Sequence, residues 1–429
     1  MAFLLKNAHV VDPQVGLDQV CDVLVDGERI SRVGESLEPG GAEVIDLTGR
    51  VLTPGLVDLH VHLREPGYEH KEDIESGTRA AARGGFTGVC SMPNTDPVTD
   101  TAAVIEYVKA RAAEVGHCRV YPSGAMTKGE RGEILSEMGE MVAHGCVAFT
   151  DDGRGVQDAG MMRRCMDYGK MFGKVFMSHC QIESIVGKGQ VNEGPASTRL
   201  ALLGWPAVGE ELEISRDIQI ARLTGARFHV QHITTARGLD MVRAAKAEGL
   251  DVTCEVTPHH LFLTDDDIDQ TYNTNLKVNP PLRRPSDAAA LAEGVADGTV
   301  DVIVTDHAPH ADWEKARPFE QAPFGMTGLE TSLALMNTHM VKTGKISYSR
   351  LVELMAVRPR EILSIDPVRI EAGAVADITV FDPDAVWTVG ADGYESRASN
   401  SGFAGQTLTG RATDVFVGGK ATLRDGAVL

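Results

Sequence analysis

Several features that would point to other classes of protein are scarce or missing. The seven cysteines among 429 residues are scattered, with no CxxC pair, which is typical of reduced thiols in a cytoplasmic protein. No run of 18 apolar residues occurs, so no membrane-spanning helix is expected. The opening MAFLLKNAHVVD becomes polar too soon for a signal peptide. Together these absences predict a cytoplasmic location.

Positive charge is also scarce. Lys and Arg number 41 against 61 Asp and Glu, which gives a formal net charge of −20. Because such a chain is repelled by phosphate backbones and by anionic lipid, we expect neither a nucleic-acid nor a membrane partner. The charge does not exclude an anionic small-molecule substrate, because a buried site is governed by its nearest ions.

Both ends of the chain have the pattern of short strands. Residues 21–33 alternate around Asp26-Gly27, which predicts a hairpin with two central residues of positive φ, and Gly418-Gly419 is a second hairpin signal. The middle of the chain lacks this β-rich character. We therefore expect a small β-sandwich domain built from residues 1–54 and 372–429, and a second domain over residues 55–371.

The middle of the chain contains eight short apolar runs, each followed by a stretch that looks helical. They are LVDLHVH (56–62), TGVCSMP (87–93), CRVYPSGA (118–125), CVAFTDD (146–152), KVFMSHC (174–180), ARFHVQHI (226–233), LDVTCEVT (250–257) and TVDVIVTD (299–306). This alternation indicates a parallel sheet covered by helices and predicts an α/β fold, a (β/α)8 TIM barrel. A doubly wound open sheet is the alternative, although no GxGxxG follows the first strand.

Polar side chains stand at the ends of these runs. His60, His62 and Arg64 share one face if the first strand continues, because side chains alternate along a strand. Other runs end in Asp151-Asp152, Ser178-His179, Gln231-His232 and Asp306-His307. In a barrel these ends meet at one mouth, where active sites lie. So many buried polar groups need a partner, and a pair of divalent cations supplies one: imidazole and carboxylate favour Zn²⁺, with Mn²⁺, Co²⁺ and Fe²⁺ as substitutes.

The motifs at these positions resemble those of a known family. GLVDLHVHLREPG, SMPNTDP, AFTDDG, MSHC, VQHIT, NPPLR, TDHAPH and FGMTGLET together are similar to bacterial dihydroorotases of the amidohydrolase superfamily. HxH is shared by the whole superfamily, whereas HVHLREPG combined with NPPLR and TDHAPH is much more specific. The resemblance covers almost the whole chain, including the split β-domain.

The resemblance implies ligands for two zinc ions. One set is His60, His62 and Asp306, and the other is His179 and His232. Many relatives bridge the ions with a carboxylated lysine, but the motif here is FTDDG, as in dihydroorotases that use an aspartate. The flanking motifs assign the bridge to Asp152; the alternative role for Asp151 is to cap a strand end or loop.

The resemblance also implies contacts to a substrate. These are Arg64, Asn94 and His310 to a carboxylate, Asn279 to a ring, and the backbone of Phe324 and Gly325 to the same ring. The chemistry of Arg64 suits this role, since a guanidinium forms a bidentate pair with a carboxylate and stays charged. Whether the loop around residues 310–326 closes over the substrate is open.

The implied activity is that of a dihydroorotase, the reversible cyclisation of N-carbamoyl-L-aspartate to L-dihydroorotate plus water in de novo pyrimidine (UMP) synthesis. A metal-bridging hydroxide would attack the ring amide, with Asp306 as general acid and base. One alternative is a hydantoinase or allantoinase, although a neutral ring needs no carboxylate clamp such as Arg64. Another is a non-catalytic dihydroorotase-like subunit of aspartate transcarbamoylase, although all six ligand positions are filled.

Partners and the remaining histidines complete the expectations. We expect a homodimer, and an association of the active enzyme with aspartate transcarbamoylase stays open. For His259 and His260, after the seventh strand, a role in the site stays open beside loop packing. His229 is expected to face away from the site, because it lies an odd number of residues from His232, and His307 is expected to point out of the barrel mouth.

Overall fold

The computed structural model describes residues 2–429, which contain nineteen strands. They are β1 (Ala2–Asp12), β2 (Leu17–Asp26), β3 (Arg29–Gly34), β4 (Glu43–Asp46), β5 (Val51–Pro54), β6 (Leu56–Val61), β7 (Phe86–Ser91), β8 (Arg119–Pro122), β9 (Ala148–Phe149), β10 (Val175–Ser178), β11 (Val191–Asn192), β12 (Gly204–Trp205), β13 (Phe228–Val230), β14 (Val252–Val256), β15 (Val302–Ile303), β16 (Ile378–Thr388), β17 (Thr407–Val417), β18 (Lys420–Arg424) and β19 (Ala427–Val428).

Fourteen α-helices lie in the same part of the chain. They are α1 (Ile74–Gly84), α2 (Ala102–Val115), α3 (Met138–Ala143), α4 (Ala159–Gly169), α5 (Glu183–Val186), α6 (Pro195–Leu200), α7 (Val208–Thr224), α8 (Ala236–Ala247), α9 (Pro258–Phe262), α10 (Pro285–Asp297), α11 (Asp312–Lys315), α12 (Ser332–Met336), α13 (Tyr348–Val352) and α14 (Arg358–Leu363). Within residues 2–429, no helix combines the length and the apolar character that crossing a bilayer requires.

Strands from both ends of the chain form one sheet. Its hydrogen-bonded order is β19-β18-β17-β16-β5-β1-β2-β3, with β4 paired to β1. The sheet has its own apolar core, in which the rings of Phe3 and Phe416 lie 5.3 Å apart. The expected β-domain built from both termini is therefore present, while its boundaries at residues 54 and 372 stay a prediction. The first turn differs from the expectation: Asp26 pairs with Arg29, so Gly27 and Glu28 are the central residues and only Gly27 has positive φ.

The middle of the chain forms a closed barrel of eight parallel strands. One arc is β6-β7-β8 and the other is β9-β10-β13-β14-β15. Parallel bridges close both seams, from Gly124 to Phe149 and from Val61 to His307. Seven of these strands lie inside one of the eight predicted apolar runs, and β7 begins at Phe86, one residue before its run. The TIM-barrel prediction is confirmed and the open-sheet alternative is wrong, because the sheet has no free edge at either seam.

A segment between β16 and β17 leaves the terminal sheet and packs against the barrel mouth. Arg397 Nη1 donates a hydrogen bond to Glu69 O at 2.8 Å. The Asn400 amide donates to Gly325 O at 3.1 Å, and its oxygen accepts from His310 N at 3.2 Å. This part of the C-terminal region therefore helps to build the mouth, although the sequence pattern assigns it to the β-domain.

Candidate active site

A cavity of about 360 Å³ opens at the carboxyl ends of the barrel strands. Its lining includes these residues predicted from the sequence: His62, Arg64, Asn94, Asp152, His179, His232, Asn279, Asp306, His310, Phe324 and Gly325. The remaining predicted residue, His60, is fully buried behind this wall, with its Nε2 3.4 Å from Asp152 Oδ1. The fold therefore brings all the predicted site residues to one place.

The ligand-type side chains form two overlapping groups. His60, His62 and Asp306 form one, in which Asp306 Oδ1 lies 3.1 Å from His62 Nε2 and 3.5 Å from His60 Nε2. His60, Asp152 and His232 form the other. His179 joins this second group at its side, since its Nδ1 lies 2.9 Å from His232 Nε2 and 3.9 Å from Asp152 Oδ1. Asp152 thus lies between the two sets.

The polar atoms at the centre of these groups lack partners. Among the described residues, His60 Nε2 and Asp152 Oδ1 are buried and form no hydrogen bond. Leaving a buried polar atom unsatisfied costs about 1–3 kcal/mol. Imidazole nitrogens and carboxylate oxygens that point at one another without a proton donor between them are the donor set of a zinc centre. The residues present therefore fit a metal pair.

Charge in this cluster is strongly coupled. Burial raises the pKa of both Asp152 and Asp306, but the neighbouring His60 and His62 outweigh it and hold the two pKa values well below their usual range. Burial, with His179 and His60 nearby, lowers the pKa of His232 to about 3. The two carboxylates and His232 are therefore in the protonation states that metal binding requires. Burial lowers the pKa of His60, but Glu255, Asp152 and Asp306 outweigh it and raise that pKa well above its usual value, so a bound metal ion would replace a proton on His60.

Three histidines have their second ring nitrogen engaged by another side chain, of which Glu255 and Gln181 are buried and Asn94 is half-buried. His60 Nδ1 lies 2.6 Å from Glu255 Oε1, and His62 Nδ1 lies 2.9 Å from Asn94 Oδ1. His179 Nε2 lies 3.1 Å from Gln181 Oε1. An oxygen that accepts a hydrogen bond at that nitrogen orients the ring and leaves its other nitrogen directed at the centre of the site.

The two adjacent aspartates have separate environments. Asp151 Oδ1 accepts hydrogen bonds from Met126 N at 2.7 Å and Thr127 N at 3.0 Å, and the Thr127 hydroxyl donates to its other oxygen. Burial raises the pKa of Asp151 to about 6. Asp151 therefore caps the neighbouring loop, whereas Asp152 faces the histidines.

The opposite wall of the cavity carries Arg64 and His310. Arg64 Nη2 lies 3.5 Å from His310 Nε2. Burial, together with Arg64 and Lys71, holds the pKa of His310 well below its usual value, so the ring is neutral. Its Nε2 donates to Phe324 O at 2.8 Å, and a substrate carboxylate would have to replace that carbonyl. Asn279 offers a free acceptor, because its Oδ1 is buried without a partner within residues 2–429.

Comparison with known proteins agrees with this geometry. A family model described as Dihydro-orotase-like matches residues 49–237. The dihydroorotase of Geobacter metallireducens is 46% identical over 425 residues, which is 99% of this chain and 100% of that protein. The dihydroorotase of Pelotomaculum thermopropionicum is 46% identical over 428 residues, with 100% of both chains covered. The chain belongs to the dihydroorotase family.

Solved structures share the fold. The L-hydantoinase (dihydropyrimidinase) of Arthrobacter aurescens superposes with a TM-score of 0.89 at 26% identity, covering 100% of this chain and 97% of that one. The dihydropyrimidinase of Brevibacillus agri superposes with a TM-score of 0.88 at 22% identity, covering 100% and 96%. This member of the dihydroorotase family therefore shares its architecture with proteins named hydantoinase and dihydropyrimidinase.

Strand alternation predicts some side-chain directions in this dihydroorotase-family chain wrongly. The first barrel strand ends at Val61, and the backbone is left-handed at Arg64 (φ 61°), His232 (φ 29°) and Asp306 (φ 45°). Arg64 therefore reaches the cavity through a turn rather than through a continued strand. His229 faces the barrel interior, where its Nε2 lies 3.0 Å from Glu255 Oε2, because the turn at His232 breaks the alternation.

Two of the other adjacent histidines, His307 and His260, have structural partners. His307 is buried, and its Nε2 lies 3.2 Å from Glu72 Oε2, so the expectation that it points out of the mouth is wrong. His260 Nε2 lies 2.9 Å from Pro280 O, which favours loop packing. His259 is buried but does not line the cavity.

Glu255 and Gln181 are the members of the site that sequence reasoning missed. In the sequence, Glu255 could have been noticed because it is an acidic residue in the apolar run LDVTCEVT. Gln181 follows Cys180 after the strand and carries no signal, because its role depends on the orientation of the His179 ring.

Proposed function

We propose that the chain acts as a dihydroorotase, interconverting N-carbamoyl-L-aspartate and L-dihydroorotate with loss or gain of water. One observation carries the proposal: a wall of histidines and aspartates suited to a metal pair faces Arg64 across one cavity of about 360 Å³. The first wall suits hydrolysis of an amide, and the guanidinium suits a ring that carries a carboxylate.

The metal pair that we propose is zinc, two ions per chain. His60, His62 and Asp306 would hold one ion, His179 and His232 the other, and Asp152 would join them in place of a carboxylated lysine. A zinc pair in this position supplies Lewis acidity, which favours deprotonation of water at neutral pH and stabilises negative charge on a carbonyl oxygen. Glu255, Asn94 and Gln181 orient the imidazole rings toward the ions.

Asp306 is the proposed proton carrier. Its ionised carboxylate accepts the proton that water loses as its oxygen bonds to the ring carbonyl carbon, and delivers it to the ring nitrogen as the amide bond breaks. In the synthetic direction Asp306 takes the proton from the attacking ureido nitrogen. Arg64 binds the ring carboxylate, and the free Oδ1 of Asn279 accepts a hydrogen bond from a ring N–H.

Some finer features stay predictions from the resemblance. A homodimer, an association with aspartate transcarbamoylase and a place in pyrimidine synthesis belong to this group. A cytoplasmic location is supported by the seven cysteines, all of which are free and buried in the described part of the chain.

The test is a steady-state assay of the purified chain on L-dihydroorotate, hydantoin and allantoin, with metal analysis of the same sample. The expected result is the highest kcat/KM on dihydroorotate and about two zinc ions per chain. A higher kcat/KM on hydantoin or allantoin would mean that Arg64 does not select the substrate, and no turnover of any of the three would contradict the reaction class.

A further inference from the structure

Two buried lysines lie behind the part of the cavity wall formed by Pro323, Phe324 and Gly325. Lys277 is 2% exposed and Lys315 is 6% exposed. Within residues 2–429, none of the ion pairs involves either lysine. This is unusual, because a lysine is almost never fully buried without a paired carboxylate. What the two ammonium groups bind instead is therefore informative.

Their partners are backbone carbonyls of one short segment, residues 319–325. Lys277 Nζ donates to Phe319 O at 2.6 Å, to Ala322 O at 2.7 Å and to Glu320 O at 3.3 Å. Lys315 Nζ donates to Pro323 O at 3.0 Å and to Gly325 O at 2.9 Å. Five carbonyls of this segment thus point at the two ammonium groups.

Lys277 also holds the end of the segment that lines the cavity. Its Nζ lies 4.5 Å from the centroid of the Phe324 ring, and its backbone oxygen accepts a hydrogen bond from Gly325 N at 2.8 Å. Gly325 has no room for a side chain, because a Cβ there would lie 2.8 Å from Ala308 Cβ and 2.9 Å from Ala308 O. The backbone at Phe324 and Gly325 is therefore fixed from several directions.

This arrangement suits a cavity that receives an anion. Carbonyl oxygens carry partial negative charge, and an oxygen that points at a buried ammonium does not point at a carboxylate in the cavity. Burial lowers the pKa of Lys277 to about 8 and that of Lys315 to about 7, the latter also because of Lys277. Two lysine amino groups buried without a carboxylate partner are costly whether charged or neutral, so packing alone does not account for them.

We propose that Lys277 and Lys315 are positioning residues for substrate binding, which hold segment 319–325 so that its backbone at Phe324 and Gly325 faces the substrate ring. This inference rests on the proposed function for the identity of the ring. Neither lysine lines the cavity, so both act through the backbone that they bind.

The test uses Lys277→Met and Lys315→Met in the full-length, metal-loaded chain. Methionine fills similar space but donates no hydrogen bond. Lys246→Met is the matched control, because Lys246 Nζ donates to Thr299 O at 2.6 Å and to Asp301 Oδ2 at 2.5 Å away from the cavity. Lys277→Gln and Lys315→Gln keep a donor and lose the charge, and they are measured in parallel in case the methionine variants do not fold.

Two readouts are needed. Amide hydrogen exchange of residues 316–327 is expected to become about tenfold faster or more in the methionine variants, because two or three hydrogen bonds from a charged group are lost. KM for dihydroorotate is expected to rise about tenfold while kcat stays within about threefold, because ground-state contacts are weakened and the groups that carry the chemistry are unchanged. The glutamine variants should show smaller changes in both amide exchange and KM. The Lys246→Met variant should show neither change.

Unchanged exchange in the segment would overturn the proposal, and so would an unchanged KM. A fall in kcat alone would also overturn it, since that would connect the lysines to the chemistry rather than to binding. Should the parent chain itself leave dihydroorotate unchanged, the proposed function fails, whereas the exchange measurement still decides whether the two lysines hold the segment.

Discussion

The two walls of the cavity are supported in different ways. On the metal-ligand wall, which consists of the proposed ligands His60, His62, Asp152, His179, His232 and Asp306, each residue lies at the end of a barrel strand or within three residues after it. Glu255, Asn94 and Gln181 engage the second nitrogens of three of the imidazoles. On the substrate wall, which consists of Arg64, His310, Phe324 and Gly325, the residues lie on loops. Those loops are held by Lys277, Lys315 and Asn400, each of which binds backbone carbonyls.

Under the proposed function, this difference separates the groups that carry out the reaction from the groups that select the substrate. Strand ends of a closed barrel are rigid, so they suit groups whose spacing must be kept within a few tenths of an ångström. Loops vary more easily, and the fold neighbours named for other cyclic amides share the barrel at TM-scores near 0.9. We therefore expect substitutions on the metal-ligand wall to abolish turnover of every substrate, and substitutions on the substrate wall to change the preference among substrates.

The largest effect is expected for Asp306→Asn. Turnover should fall by about 10²–10⁴-fold, because an amide cannot carry the proton, while the fold and much of the zinc content are retained. The measurement is kcat with metal analysis on the same preparation. Asp312→Asn, near the same mouth and bonded to the Ser399 hydroxyl at 2.8 Å, is the control. Activity within threefold of the parent would assign proton transfer to another group.

Arg64→Met should separate the two walls most clearly. A charge-assisted bidentate pair contributes about 1.5–3 kcal/mol, so kcat/KM on dihydroorotate should fall about ten- to several-hundred-fold. Zinc content and turnover of the neutral ring dihydrouracil should change little, and Lys should rescue only partly. Arg317→Met, whose guanidinium lies 5.0 Å from the Trp313 ring centroid, is the matched control. An equal loss of kcat/KM on dihydroorotate and on dihydrouracil would mean that Arg64 does not bind the substrate carboxylate.

Glu255→Gln tests the support of the metal-ligand wall. Glu255 binds His60 Nδ1 at 2.6 Å and accepts from His232 N at 3.0 Å, so it orients two ligands at once. Loss of such a partner typically costs about 10–100-fold in metal affinity or activity. Competition with a chelator measures the zinc affinity directly. Glu248 is an exposed partner of Arg222, and Glu248→Gln should leave the zinc affinity unchanged. A similar loss of zinc affinity in this variant would mean that removing any negative charge from the chain weakens zinc binding.

The sequence was sufficient for the barrel, because eight apolar runs indicate the eight strands. The motif resemblance predicted twelve site residues, which the fold brings to one place. The directions of His229 and His307 were predicted wrongly, because left-handed backbone at the strand ends breaks the alternation. Arg64 reaches the predicted cavity, but through a turn rather than through a continued strand. The roles of Lys277 and Asn400 depend on contacts with segments far along the chain, which no local pattern encodes.

Asn400→Ala should have the smallest effect and tests whether the C-terminal segment contributes to the substrate wall. Asn400 accepts from His310 N at 3.2 Å and donates to Gly325 O at 3.1 Å, so it ties together the two loops that carry substrate contacts. Each lost hydrogen bond is worth about 0.5–1.5 kcal/mol of stability, and only part of this loss weakens substrate binding. KM should therefore rise about three- to tenfold with kcat unchanged.

The decisive comparison for Asn400 is with Asn337→Ala. Asn337 is equally buried, and its amide donates to two carbonyls, Pro383 O at 3.0 Å and Thr409 O at 2.8 Å, but it does not line or contact the cavity. Both variants should lower the free energy of unfolding by about 1–3 kcal/mol, because both remove buried hydrogen bonds to backbone groups. Only Asn400→Ala should raise KM. If the two variants raise KM equally, the effect is one of stability, and the C-terminal segment covers the mouth without shaping the substrate wall.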